Sequence, residues 1–234
     1  MRFSYGIVVG LLALGLSCPP ARAGGEIYVL GGPGLSNLKG DADAVGNALA
    51  RTVGRQYVGF WTSDRSMKVG LDAGLGFSYA LGSAVGVAGE VRLLKRGTKL
   101  HLTEVSDLRR ELDGALDLEY LEIPLLAQFS IPMSGRVRPV VLIGPVVGIR
   151  LSSKIAVSAP GFIAPEGNLG PDVMRSSYVG GLAGAGVRVH TSGKSTLLLQ
   201  ARLNGQFPNL VRKWVGLDLT PQDFSLLLGY SRSM

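Results

Sequence analysis

Cysteine and histidine are scarce in this chain, which has one cysteine and two histidines among 234 residues. A single thiol cannot close an intramolecular disulfide, so a disulfide framework is excluded. Cys18, His101 and His190 are also too few for a zinc site of the usual cysteine and histidine type. We therefore expect neither a metal nor a cofactor in this protein.

Long apolar runs are missing after about the first twenty residues, although 46% of the residues are hydrophobic. A membrane-spanning helix needs about 20 consecutive apolar residues, and glycines or turn residues interrupt every later stretch of that length. The 34 glycines follow no three-residue period, which excludes a collagen-like fibre. The remaining possibility is an apolar, glycine-rich protein built without spanning helices.

The first 23 residues have the layout of a secretory signal peptide. Arg2 gives a positive start, residues 7–16 form an apolar run, and residues 21–23 read Ala-Arg-Ala. We expect cleavage after Ala23, which divides the chain into a signal peptide at 1–23 and a barrel domain at 24–234. Lipoprotein processing at Cys18 is an alternative, although Gly15 stands where such signals usually carry leucine.

Alternation of apolar and other residues predicts strands in the exported part. From Lys68 to Tyr79 every second residue is apolar, and the positions between them carry lysine, glycine, aspartate or serine. This period of two is the signature of a strand with two different faces. The same pattern, weakest in the first segment, predicts eight strands at 26–33, 68–79, 85–93, 119–129, 137–151, 178–190, 196–204 and 223–231.

The connections between these strands alternate in length. Those at 34–67, 96–117, 152–176 and 205–222 are long, and those at 80–83, 130–136 and 191–195 are short. Long loops at one rim and short turns at the other are typical of outer-membrane barrels. The sequence thus predicts an all-β fold, an eight-stranded antiparallel up-and-down transmembrane β-barrel with long extracellular loops and short periplasmic turns.

Several residues need special accommodation in this prediction. Pro124, Pro139 and Pro145 lie within strands, where we expect bulges or rim positions. Capping-type starts also predict helices in two long connections, at Asp41 to Arg51 and at Thr103 to Leu112.

Two adjacent strands resemble a known family. The stretch from Tyr120 to Phe129 reads YLEIPLLAQF, and the stretch from Arg138 to Pro145 reads RPVVLIGP. Together they are similar to the middle of the PorT-like outer-membrane β-barrel domain family, and Gly180 to Gly186 resembles a later strand. The resemblance implies an outer-membrane barrel of a family in which most members have no assigned activity. The member that gives the family its name is implicated in assembling a secretion system.

The polar faces of the predicted strands would line a narrow lumen. We expect an ion-paired network there, because buried charges are costly unless they are paired. Its predicted members are Asp72, Glu90, Arg92, Glu122, Arg138, Arg188 and Arg202. Glycines on the same faces would make room for these long side chains.

A structural or assembly role without enzymatic activity follows from this arrangement, since no catalytic residues stand together. Alternatives are a narrow pore, a lipid-modifying enzyme on the same barrel, and a soluble lipocalin-like barrel with its apolar face inward. His190-Thr191-Ser192 matches an H-x-S pattern of lipid A deacylases, but it falls in a short turn.

Basic residues are spread over the predicted loops and strand ends, and they suit phosphate groups. We expect as partners outer-membrane lipids, with lipopolysaccharide phosphates at loop cations such as Arg109 and Arg110, and the barrel-insertion machinery. Nucleic acid is excluded for an exported chain, and the sequence identifies no partner protein. The expected location is the outer membrane of a Gram-negative-type bacterium.

Overall fold

The strands of this protein are longer and more regular than their sequence alone indicates. The computed structural model describes residues 24–40, 61–104, 111–133, 135–159, 162–163, 167–168, 176–191, 193–207 and 219–234. The expected signal peptide, Cys18 and the helix predicted at 41–51 lie outside these residues.

Ten strands follow one another in the described part of the chain, and eight of them are long. They are β1 (Gly25–Gly40), β2 (Trp61–Ala80), β3 (Val85–Glu104), β4 (Glu111–Ser130), β5 (Val137–Ala159), the two-residue β6 (Phe162–Ile163) and β7 (Gly167–Asn168), β8 (Ser177–His190), β9 (Ser195–Gln206) and β10 (Leu219–Ser233). Each long strand exceeds the roughly ten residues that a tilted strand needs to cross a bilayer.

The eight long strands form a closed antiparallel ring. Sequence neighbours pair with each other throughout, with β5 pairing directly to β8, and β1 pairs with β10 to close the circle. The β1–β10 ladder runs from Glu26 opposite Ser233 to Gly40 opposite Leu219. A closed sheet leaves no unpaired edge to face lipid, which is the condition for strands to span a membrane. The predicted eight-stranded barrel is confirmed.

The two faces of each strand differ sharply in exposure. On β9, Leu197, Leu199 and Leu203 point outward and are exposed, whereas Thr196 and Arg202 point inward and are buried. The apolar side chains therefore cover the outside of the barrel and the charges fill the inside. This is the reverse of a soluble lipocalin-like barrel, so that alternative is wrong. Among the described residues, no helix is long and apolar enough to cross a membrane.

The first five strands extend further toward the long loops than the sequence indicates, and β3 and β4 illustrate this. β3 continues to Glu104 and β4 starts at Glu111, so the connection predicted at 96–117 is largely strand. The helix predicted at Thr103 to Leu112 is wrong at both of its ends, because residues 103–104 belong to β3 and residues 111–112 belong to β4. Outward positions become charged here, from Lys95 onward, and the apolar period that marks a strand disappears although the backbone ladder continues.

The prolines are accommodated in two ways. Pro139 lies near the start of β5, at the rim, as expected. Pairing between β3 and β4 skips Pro124 and resumes in the same register at Glu122, and pairing between β4 and β5 likewise skips Pro145. A proline has no N–H to donate, so a local gap in the ladder is the consequence. The bulges expected at Pro124 and Pro145 are therefore wrong.

Candidate functional site

The lumen holds buried charged side chains that five of the eight long strands contribute. Five of the seven predicted residues are among them, and each is at most 3% exposed: Asp72 on β2, Glu90 and Arg92 on β3, Glu122 on β4, and Arg202 on β9. All five lie on the inward face that strand alternation assigns to them.

One group centres on Glu90. Its carboxylate accepts two hydrogen bonds from the Arg202 guanidinium, at 2.6 Å and 2.8 Å, and one from the Tyr28 hydroxyl at 2.6 Å. Gln200 on β9 accepts a further bond from Arg202 Nε at 2.9 Å. Two parallel bonds between a guanidinium and a carboxylate fix both distance and orientation. The group therefore ties β1 and β3 to β9 across the lumen.

A second group centres on Glu122 on β4. Arg92 donates its Nε to Asp72 at 3.1 Å and places its Nη1 3.6 Å from Glu122. The Asn204 amide on β9 donates to both oxygens of Glu122, at 3.0 Å and 2.9 Å, and the Tyr178 hydroxyl also donates to it. A buried carboxylate with this many donors has its desolvation offset by charge-assisted hydrogen bonds.

Arg96 joins the second group, although the sequence pattern places residue 96 at the start of the long connection predicted at 96–117. It is 4% exposed, pairs with Glu122, and brings its Nε within 3.0 Å of Asp223 on β10. Its guanidinium lies over the rings of Tyr120 and Tyr178, 5.2 Å and 5.6 Å from their centroids. The signal that finds it is the alternation of β3, in which positions 90, 92 and 96 share the inward face.

Glycines stand directly across from the largest polar side chains of the lumen. The register places Gly74 opposite Arg92, Gly76 opposite Tyr28, Gly148 opposite Tyr178, Gly184 opposite Arg202 and Gly186 opposite Gln200. A Cβ atom on Gly76 or Gly148 would overlap the facing tyrosine ring, and one on Gly74 would lie 2.7 Å from Arg92 Cγ. These positions therefore supply the space in which the charged network lies.

Arg138 and Arg188 lie apart from the buried network, at the end of the barrel that carries the short turns. Arg188 on β8 pairs with Glu26 on β1, and both are half-buried. Arg138 at the start of β5 is exposed, and within the described part of the chain its side chain has no ion-pair or hydrogen-bond partner. The structure thus brings five of the predicted residues together and leaves these two at the rim.

His190 lies at the same rim, and its ring contacts a threonine hydroxyl of β9. Its Nδ1 is 2.9 Å from the Thr196 hydroxyl, while Ser192 of the H-x-S pattern lies outside the described residues. Nor do the described residues contain a group of three or more histidine, cysteine or carboxylate side chains that could hold a metal ion. The chemistry of the lumen is therefore that of paired charges.

Charged side chains form pairs at the long-loop ends of β2, β3 and β4. Lys95 lies 3.0 Å from Glu119, Lys68 pairs with Asp117, and His101 Nδ1 is 2.7 Å from Asp113. These pairs begin where the apolar outer surface of β3 and β4 ends. The barrel wall consequently continues beyond its lipid-facing band on the long-loop side.

The comparison with protein families agrees with this architecture. A family model described as an outer membrane protein beta-barrel domain matches residues 29–207. No curated protein matches the sequence. Among solved structures, the chain is similar to Ail, the attachment invasion locus protein of Yersinia pestis, with 18% identity and a TM-score of 0.42 over 88% of this chain and 98% of that one. It is similar to OprG from Pseudomonas aeruginosa, with 12% identity and a TM-score of 0.42 over 91% and 97%. Neisserial surface protein A gives 10% identity and a TM-score of 0.42 over 88% and 96%.

Proposed function

Because the chain belongs to the outer membrane protein beta-barrel domain family, we propose that it is a structural or assembly component of the outer membrane that does not conduct. The single observation that carries this proposal is the filled lumen. Arg92, Arg202, Tyr120 and Glu122 are each less than 2% exposed, and hydrogen bonds cross the lumen from Arg202 to Glu90 and from Asn204 to Glu122. Side chains fill the interior of barrels of about eight strands, so the function is exercised by the outer surface and the loops.

The part in assembly is proposed from the resemblance to PorT-like domains. The YLEIPLLAQF and RPVVLIGP segments that carry it are adjacent paired strands, β4 and β5. We propose that the protein serves a secretion or envelope system after export by a signal peptide at 1–23. Deleting its gene should then reduce the release of secreted proteins into the medium without changing the permeability of the outer membrane to small solutes.

The composition of the outer surface supports the proposal that lipids surround the barrel. Exposed apolar side chains form its band, and Lys99 on β3 is an exposed cation beyond that band. We propose that such cations, together with Arg109 and Arg110, contact lipopolysaccharide phosphates. Neutralising Arg109 and Arg110 should weaken binding of the folded barrel to lipopolysaccharide, and unchanged binding would remove this part of the proposal.

The central test combines location with conductance. The native protein should fractionate with the outer membrane and run at a different apparent mass before and after heating, as folded barrels do. In planar bilayers the purified protein should show no steady channel. Removal of Glu90 and Arg202 together by alanine substitution should create discrete conductance, which serves as the positive control. A steady native channel would favour the narrow-pore alternative.

The lipid-modifying alternative is tested separately. If the protein were a deacylase that used His190, incubation of the folded barrel with lipid A would release fatty acid, and His190→Ala would abolish the release. We expect no release from either protein, because His190 lies at the short-turn rim, which is the periplasmic end of such barrels, away from the outer leaflet.

A further inference from the structure

A cavity of about 790 Å³ opens at the short-turn end of the barrel. We call it the short-turn cup. It is lined by the start of β1 and by the turns that join β2 to β3, β4 to β5 and β8 to β9. Its polar lining consists of Glu26, Ser78, Ser83, Gln128, Ser130, Arg138, Arg188, His190, Lys194 and Ser233. This volume lies within the range of pockets that hold small ligands.

Part of the floor of the cup is apolar. On four strands the next inward positions carry apolar side chains that are at most 5% exposed: Ala88 on β3, Leu126 on β4, Val140 on β5 and Leu198 on β9. On β1 the next inward residue after Glu26 is Tyr28, whose hydroxyl bonds Glu90 in the charged network. The cup therefore has a lining of its own and borders the network at β1.

Its lining carries an excess of positive charge. Three cationic side chains, Arg138, Arg188 and Lys194, stand against one acidic side chain, that of Glu26. Glu26 pairs with Arg188, so no other side-chain carboxylate of the lining balances the remaining two cations. Within the described part of the chain, the Arg138 side chain has no ion-pair or hydrogen-bond partner, and the buried Nε of Arg188 has no hydrogen-bond acceptor. An unsatisfied buried guanidinium N–H is costly unless a ligand or water accepts its hydrogen bond.

We propose that the short-turn cup binds an anion that carries a phosphate group. A guanidinium and a phosphate form bidentate hydrogen bonds, and a lysine adds a point charge. The net positive charge of the lining side chains favours an anion of this kind, and serine hydroxyls and the Gln128 amide can donate to its remaining oxygens. The proposal is independent of an assembly role, because it concerns the turn end and not the loops.

The test measures phosphate binding directly. The folded barrel in an uncharged maltoside detergent at low ionic strength is titrated by calorimetry with inorganic phosphate and with glycerol 3-phosphate. Both should bind with one site per barrel, and Arg138→Gln should weaken the affinity at least about tenfold through loss of charged hydrogen bonds. Arg138 is exposed, so the variant should retain the heat-dependent gel migration of the folded barrel.

Arg136→Gln is the matched control. Arg136 is exposed, lies two residues from Arg138 and does not line the cup. Its replacement by glutamine removes the same charge from the same end of the barrel. This variant should bind phosphate as the native protein does. An equal loss in both variants would show general attraction to a basic surface and would overturn the proposal, as would absence of binding to the native barrel.

The source of the phosphate is distinguished by adding phosphatidylglycerol to the detergent. If a lipid headgroup is the natural occupant, the added lipid should compete with glycerol 3-phosphate in the native barrel but not alter the residual binding of Arg138→Gln. If a soluble phosphate compound is the occupant, the added lipid should leave the titration unchanged.

Discussion

Arg202 on β9 and Glu90 on β3 meet across the full width of the barrel, through hydrogen bonds of 2.6 Å and 2.8 Å. Their strands are separated by β2, β1 and β10 on one side and by β4, β5 and β8 on the other, so they lie at opposite points of the ring. A ladder hydrogen bond joins only neighbouring strands. This pair therefore constrains the cross-section of the barrel in a way that the sheet itself cannot.

The first prediction concerns that pair. Glu90→Ala should lower the free energy of unfolding by about 3–5 kcal/mol, because it leaves the Arg202 guanidinium buried without its carboxylate. The double variant Glu90→Leu with Arg202→Met should be less destabilised than Glu90→Ala, since an apolar pair needs no compensation. Urea titration of the refolded barrel in lipid vesicles measures both. The single variants Glu90→Leu and Arg202→Met complete the cycle, and strict additivity of their effects in the double variant would mean that the two side chains do not interact energetically.

The second prediction concerns Gly76, which faces Tyr28 in the lumen. Gly76→Ala should destabilise the barrel by about 1–3 kcal/mol, because its methyl group would overlap the tyrosine ring. The measurement is again urea unfolding, with the heat-dependent gel migration as the check on folding.

Gly89→Ala is the matched control for this glycine. A Cβ atom there would lie 3.7 Å from the nearest atom, Leu125 Cδ2, which is ordinary contact. Its stability should therefore change by less than about 1 kcal/mol, in the stabilising direction if loss of chain entropy dominates. Equal destabilisation at both positions would argue against the space-making role of Gly76.

Alternation along the strands predicts which charged residues face the lumen, but not which of them pair. A period of two assigns Asp72, Glu90 and Arg202 to the inward face, because every residue of a strand points to one of two sides. It does not say that Glu90 pairs with Arg202, because this requires the register of every ladder around the ring.

Arg96 shows the other limit. Apolar residues alternate along β3 only as far as Leu93, so the sequence predicts the end of the strand there. The backbone pairing continues to Glu104. Beyond the lipid band both faces of a strand carry polar residues, and the hydrophobic period no longer distinguishes strand from loop. The rim position of Arg138 was missed for a related reason: alternation gives the side of a residue but not its depth.

The third prediction concerns Arg96. Arg96→Lys should lower the free energy of unfolding by about 2 kcal/mol although it keeps the charge, because one ammonium group cannot reach both Glu122 and Asp223 as the fork of arginine does. Arg96→Met should lower the free energy of unfolding further, by about 3–5 kcal/mol, because two buried carboxylates lose their guanidinium partner. Urea unfolding in vesicles distinguishes the three proteins.

Lys99→Met on the same strand controls for the loss of a cation as such. Lys99 is exposed, so its replacement should leave the unfolding midpoint nearly unchanged. If Arg96→Lys were as stable as the native barrel, the bridging role assigned to the guanidinium would be wrong, and charge alone would account for the position.

The last prediction contrasts these buried pairs with an exposed one. Lys95 and Glu119 lie 3.0 Å apart on the outer surface, and their side chains are 53% and 38% exposed. Water already solvates both groups, so Lys95→Ala should lower the free energy of unfolding by less than about 1 kcal/mol, and added salt should remove the difference. The loss caused by Glu90→Ala should persist in the same salt series, because mobile ions do not reach the filled lumen. If the two variants responded equally to salt, the lumen would be open to ions, which contradicts the closed interior on which the proposed non-conducting role depends.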